Sequence, residues 1–163
     1  MKGNIFSGCL FLLLITLALP VSANKVKIVN FSHVKQLLNT KNDTTYVINF
    51  WATWCVPCRT ELPYFEKINK IYSNNKFKLV LISLDFPSKI ESGLIPFIKA
   101  NELKAEIWLL DEKDPNTWID TVNKTWSGAI PATVIYNKNS NQFYEKAFEF
   151  EELNSIIKNT IIN

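Results

Sequence analysis

Apolar and polar positions along this chain switch between two periods, and each switch marks an element. Val26 to Phe31 alternates residue by residue like a half-exposed strand, and Ser32 then caps a short helix to about Asn39 that carries Val34, Leu37 and Leu38 on one face. A polar turn at 41–44 leads into the buried strand Thr45 to Phe50. After it, Leu62, Phe65, Ile68 and Tyr72 recur at helical spacing through a helix from about Val56 to Ser73. Pro63, which has no N–H to donate, is expected to kink that helix near its first turns. Phe77 to Leu84, apolar but for Lys78 and Ser83, reads as a strand buried on both faces of a parallel sheet. Ser88-Lys89-Ile90-Glu91 reads as a capping box for the next helix, which Pro96 bends or delays. Glu106 to Leu110 forms another strand, and Asp114-Pro115 caps a helix carrying Trp118, Ile119 and Val122. Ala132 to Tyr136 and Gln142 to Phe148 flank a turn-forming cluster at 137–141 as an antiparallel hairpin, and an amphipathic helix from about Glu151 to Ile162 closes the chain. The fold class that follows is α/β: a central mixed, mostly parallel sheet flanked by helices, with a C-terminal β-hairpin and helix.

The beginning of the chain follows a different pattern. Lys2 supplies a positive charge, Cys9 to Leu19 is apolar, Pro20 breaks the run, and Val21-Ser22-Ala23 resembles a cleavage site, so residues 1–23 read as a secretory signal. The apolar run is shorter than the roughly 20 residues a membrane span needs. Export to the periplasm or cell envelope is therefore expected, with a retained anchor as the alternative. Residues 24–163 are enough for one domain with its own core, and no repeat or linker divides them. The net charge is +3 with acids and bases interspersed, which argues against a nucleic-acid partner.

Past the signal the only cysteines are Cys55 and Cys58, at C-x-x-C spacing directly after a buried strand. If the chain turns there from strand to helix, Cys55 lies at an exposed helix N-terminus. Unpaired N–H groups and the positive dipole end then favour its thiolate. Such placement lowers a cysteine pKa from about 8.5 to roughly 3.5–7.5. Cys58, one turn on, can reach disulfide distance and resolve a mixed disulfide, while Pro57 fits the first helical turn and withholds one donor from the Cys55 sulfur. Other uses of the pair remain open. Half a zinc site would need further ligands, and the chain offers only Cys9 and His33. A structural bridge over so short a loop would remove little chain entropy.

The stretches Asn49-Phe50-Trp51-Ala52-Thr53-Trp54-Cys55, Cys58-Arg59-Thr60-Glu61-Leu62-Pro63 and Trp126-Ser127-Gly128-Ala129-Ile130-Pro131-Ala132-Thr133 together resemble the thioredoxin superfamily. More narrowly, they resemble exported TlpA/ResA-like thiol-disulfide oxidoreductases. The resemblance spans nearly all of residues 24–163 and implies a thioredoxin-like fold, a cis Ile130-Pro131 bond beside the cysteines, and an Ile130 backbone that docks an extended substrate segment. It also departs from ordinary thioredoxins, which carry a buried aspartate where Asn49 stands. The narrower group instead implies that Glu61 exchanges a proton with Cys58, against the alternative of a solvated glutamate favoured by the helix dipole. The implied site is thus Cys55, Cys58 and Glu61 for catalysis, with Trp54, Pro57, Ile130 and Pro131 contacting substrate. Arg59 could support the thiolate or simply be an exposed helix charge, while Trp51 and Trp126 read more readily as core.

On that resemblance the chain is a monomer without cofactor or metal. It reduces exported proteins bearing disulfides and is re-reduced by a membrane electron donor, with cytochrome c maturation as one candidate pathway. A thiol peroxidase, a Cu(I)-binding chaperone and a redox-inert interaction module are the rival readings. The first would want a peroxidatic thiol in a donor-rich pocket, and the second wider cysteine spacing plus a later histidine, of which there is none after His33.

Overall fold

In the computed structural model, which describes residues 26–73 and 75–162, six strands form one mixed sheet in the order β1-β4-β3-β2-β5-β6. The strands are β1 (Lys27–Val29), β2 (Thr45–Trp51), β3 (Phe77–Ser83), β4 (Glu106–Leu110), β5 (Ala132–Tyr136) and β6 (Asn141–Tyr144). The helices are α1 (Phe31–Leu38), α2 (Val56–Tyr72), α3 (Ile95–Ala100), α4 (Ile119–Val122) and α5 (Phe150–Ile162). The first four strands run parallel to one another, β5 runs antiparallel to β2, and β6 runs antiparallel to β5. This is the mixed, mostly parallel α/β architecture the pattern predicts. The secretory signal expected at residues 1–23 lies outside the described residues.

Strand alternation sorts the core into two layers. Val47, Trp51, Leu79, Leu81, Ile107 and Leu109 face α2, α3 and α5 on one side, whereas Ile48, Phe50, Val80, Ile82, Trp108 and Leu110 face α1 and α4 on the other. Because both faces are covered, β2 is buried along its whole length.

Four local expectations need correction. The N-cap of α1 is Asn30, not Ser32. Ser32 instead donates its hydroxyl to Asn30 Oδ1, and Glu112 Oε2 takes the Phe31 N–H. No capping box forms at Ser88–Glu91, because Pro87 opens a tight 3₁₀ turn, a wider π turn follows over Ile90–Leu94, and regular α geometry begins only at Ile95 with Pro96 in its first turn. The Asp114 cap does form, its carboxylate accepting the Asn116 N–H, but it closes a 3₁₀ turn and leaves α4 only four residues long. Finally, β6 stops at Tyr144 rather than Phe148. The helix α2 runs on through Pro63.

Register decides what meets at the C-terminal end of β2. Trp51 pairs with Ser83 on one side, and Phe50 pairs with Ala132 on the other. The residues following β2 and β3 and those preceding β5 therefore emerge together. In open α/β sheets such a crevice beyond the strand ends is where ligands bind.

Candidate functional site

The three segments that converge there are 52–55, 84–86 and 126–131. From β2 the chain closes a tight turn, Cys55 N–H to Ala52 O at 3.2 Å, and enters α2 with Cys55 as its N-cap residue. Pro57 occupies the first turn, where its missing N–H leaves no helical bond unmade. Cys55 and Cys58 are joined as a disulfide with Cα atoms 5.3 Å apart. The Cys55 sulfur accepts the Cys58 N–H at 3.3 Å, a placement that carries over to a thiolate once the pair is reduced.

Contrary to the exposed position expected of it, Cys55 is buried in this oxidised form, and Cys58 is wholly so. The exposed surface belongs to their neighbours Trp54, Val56 and Pro57. Across from Cys55 the Ile130-Pro131 bond is cis, as expected, and the Ile130 carbonyl oxygen stands 3.6 Å from the Cys55 sulfur. In the disulfide this is a contact only, since the sulfur has no proton; a reduced Cys55 thiol would have one to donate.

The loop presenting Ile130 is held by two side chains. Trp126 Nε1 donates to Ala129 O at 2.7 Å from within the core, where its ring packs on Phe50. Glu145, just beyond β6, accepts the Ser127 N–H, the Ser127 hydroxyl and the Ala129 N–H. Those bonds, the Ser127 hydroxyl foremost, hold the Glu145 carboxyl below the ordinary range. Gly128 takes φ +92°, a left-handed conformation that glycine adopts without steric cost.

Glu61, one turn beyond Cys58 on α2, is 0% exposed, which rules out the solvated alternative. Its Oε1 accepts from Asn49 Nδ2 at 2.9 Å and its Oε2 from the Phe148 N–H at 2.8 Å. Burial pushes the carboxyl up to about 7, against the lowering pull of those two bonds. Asn49 also donates to Thr133 Oγ1, while its own Oδ1 is buried without a partner. The position that holds an acid in ordinary thioredoxins here holds an amide that steadies one. The acid itself sits on the same helix as the cysteines.

Besides Glu145, two residues of this end of the sheet escaped the sequence reading. Asp85, buried just past β3, accepts hydrogen bonds from the active-site turn, and Phe86 beside it is 70% exposed. An acidic residue just past a mostly apolar strand was the one available signal. Arg59, by contrast, is an exposed helix residue whose guanidinium stacks over Phe97, and His33 is an exposed residue bonded to Asn30. Among the described residues no three His, Cys, Asp or Glu side chains are grouped to hold a metal ion.

Comparison with known proteins agrees with this geometry. The profile of the AhpC/TSA family matches residues 21–141. The thioredoxin-like protein YneN of Bacillus subtilis is 37% identical over 84 residues, half of this chain and 47% of the relative. The sporulation thiol-disulfide oxidoreductase A of the same organism is 36% identical over 67 residues, 41% of this chain and 40% of the relative. The chain thus spans less than half the length of these curated relatives. Among solved structures, a thioredoxin-related protein from Neisseria meningitidis serogroup B superposes with a TM-score of 0.64 at 26% identity, covering 78% of this chain and 91% of its own. StoA from Bacillus subtilis superposes with a TM-score of 0.54 at 24% identity over 72% of this chain and 84% of its own, a likeness of fold.

Proposed function

Because the chain belongs to the AhpC/TSA family and has a thioredoxin-like fold, we propose that it is a thiol-disulfide oxidoreductase that reduces disulfides of exported proteins. The observation that carries this reading is a C-x-x-C pair at a helix N-terminus, bonded as a disulfide, with the Ile130 carbonyl beside its first sulfur. In the reduced protein the Cys55 thiolate attacks a substrate disulfide. One Cys55–substrate bond forms as the substrate S–S bond breaks, and a substrate thiolate leaves. Cys58, losing its proton, then attacks Cys55, releases the second substrate thiolate and restores the Cys55–Cys58 bond. Two electrons pass to the substrate, whose thiolates take up protons. Glu61, raised to about 7, is suited to accept the Cys58 proton near neutral pH. Trp54, Pro57, Ile130 and Pro131 form the surface against which substrate lies.

Export to the periplasm or cell envelope rests on the pattern of residues 1–23, and re-reduction falls to a membrane electron donor. A peroxidase would want several donors converging on one sulfur, whereas Cys58 N–H is the one described donor to Cys55. The test is Cys58→Ser, which leaves Cys55 unable to be released. In cells the variant should accumulate mixed disulfides with exported proteins, separable on non-reducing gels and lost in Cys55→Ser. Failure to trap any partner would overturn the reading.

A further inference from the structure

We propose that Asp85 is a positioning residue for the reaction, locking the turn that presents Cys55 to a substrate docked along Ile130; the inference rests on the reductase reading above. Asp85 is 4% exposed and belongs to neither the dithiol nor the Glu61 network. Its Oδ2 accepts the Thr53 N–H at 3.0 Å and the Ser83 hydroxyl at 2.8 Å, and its Oδ1 accepts the Thr53 hydroxyl at 2.6 Å. The Ser83 hydroxyl in turn accepts the Asp85 N–H at 3.1 Å.

These bonds complete a frame around the turn. Trp51 O takes the Leu84 N–H at 2.8 Å, Ala52 O takes the Cys55 N–H at 3.2 Å, and Asp85 takes both donors of Thr53. With Thr53 held from inside, Trp54 is turned outward to 60% exposure and Cys55 is delivered to the head of α2 facing the Ile130 carbonyl. Without the carboxylate, the part-buried Thr53 N–H and two hydroxyls lose their acceptor, and the turn is no longer fixed relative to the docking loop.

The consequence depends on substrate size. A polypeptide laid along Ile130 has its disulfide placed by the protein, so attack requires the Cys55 sulfur at one point, and a displacement of about 1 Å can cost up to a hundredfold in rate. A small disulfide needs no docking loop and can follow the sulfur wherever it moves.

The experiment measures the rate of oxidation of the reduced full chain by insulin and by hydroxyethyl disulfide, followed by tryptophan fluorescence. Asp85→Ala should slow the insulin reaction at least about tenfold more than the hydroxyethyl disulfide reaction. Since Asp85→Ala could fail to fold, Thr53→Val and Thr53→Ser form a second test. The valine variant should show the same selective loss in weaker form, and the serine variant, which keeps both donors, should retain the wild-type ratio of the two rates. Equal slowing of both substrates, or no change in the ratio in either series, overturns the proposal. A wild-type protein inert toward both disulfides would instead refute the reductase reading.

Discussion

At the scale of single residues, Glu61 is the group whose environment makes the sharpest prediction. An unfolded chain ionises this carboxyl near 4.5, while the folded protein holds its proton up to about 7. Between those values the native state binds more protons than the unfolded one, so stability falls as pH rises through this window, by about 3 kcal/mol in all for such a displacement. The full contribution is present below the lower value and gone above the upper. Urea denaturation of the oxidised protein from pH 5 to pH 8 should show that decline, and Glu61→Gln should abolish it. A variant with the wild-type slope would mean that another group titrates. The place of Cys55 and Cys58 at a helix start and the cis bond at Pro131 were legible in the sequence through short motifs, whereas the burial of Cys55 was not and that of Glu61 was left open. Asp85 and Glu145 were not legible. Their contacts lie 32 residues away for Asp85 with Thr53 and 16 to 18 away for Glu145 with Ala129 and Ser127, and only the sheet register brings those segments together.

Among the elements, the strands were the most readable, because burial on both faces leaves mostly apolar runs, as in β2, β3, β4 and β5. Helix starts were less readable. Ser88 and Glu91 have the spacing of a reciprocal cap, yet Pro87 dictates a tighter turn first and the cap is never made. The loop from Trp126 to Pro131 lies between these cases. Its sequence resembles a docking loop, but its conformation depends on Gly128 at φ +92°. A Cβ there would also sit 3.1 Å from Ile119 Cδ1, a side-chain end that can give by a few tenths of an ångström. Gly128→Ala should therefore cost about 1–2 kcal/mol from backbone strain. Because the strain falls on the docking loop, insulin reduction should drop more than hydroxyethyl disulfide reduction. Urea midpoints together with the two rates check this, and an unchanged midpoint would show that the loop adopts another conformation at no cost.

For the molecule as a whole, three carboxylates share one task at one end of the sheet. Asp85 ties β3 to the active-site turn, Glu145 ties the end of β6 to the docking loop, and Glu61 ties α2 to the chain entering α5. The dithiol is thus held in a frame of carboxylates, while the Cys55 sulfur itself has one described backbone donor. That bears on the reduction potential, since a protein becomes a strong disulfide donor when its reduced form is stabilised, chiefly through its thiolate. Here the Cys55 sulfur has the Cys58 N–H as its described donor, Pro57 offers none, and the neighbouring cation Arg59 is directed over Phe97. With the helix N-terminus and this one donor as its described support, the thiolate gains little beyond what any such helix start gives, which leaves the disulfide comparatively favoured and the reduced protein a good electron donor. Equilibration of the pair in thiol-disulfide buffers, followed by Trp54 fluorescence or alkylation, should give a potential at or below about −230 mV, toward the thioredoxin-like end of the range. In an oxidising compartment such a protein would stay reduced only with a dedicated donor. A potential nearer about −120 mV would reverse the direction of electron flow and make the chain an inserter of disulfides. The frame around Cys55 would then serve to release a bond to the substrate rather than to break one.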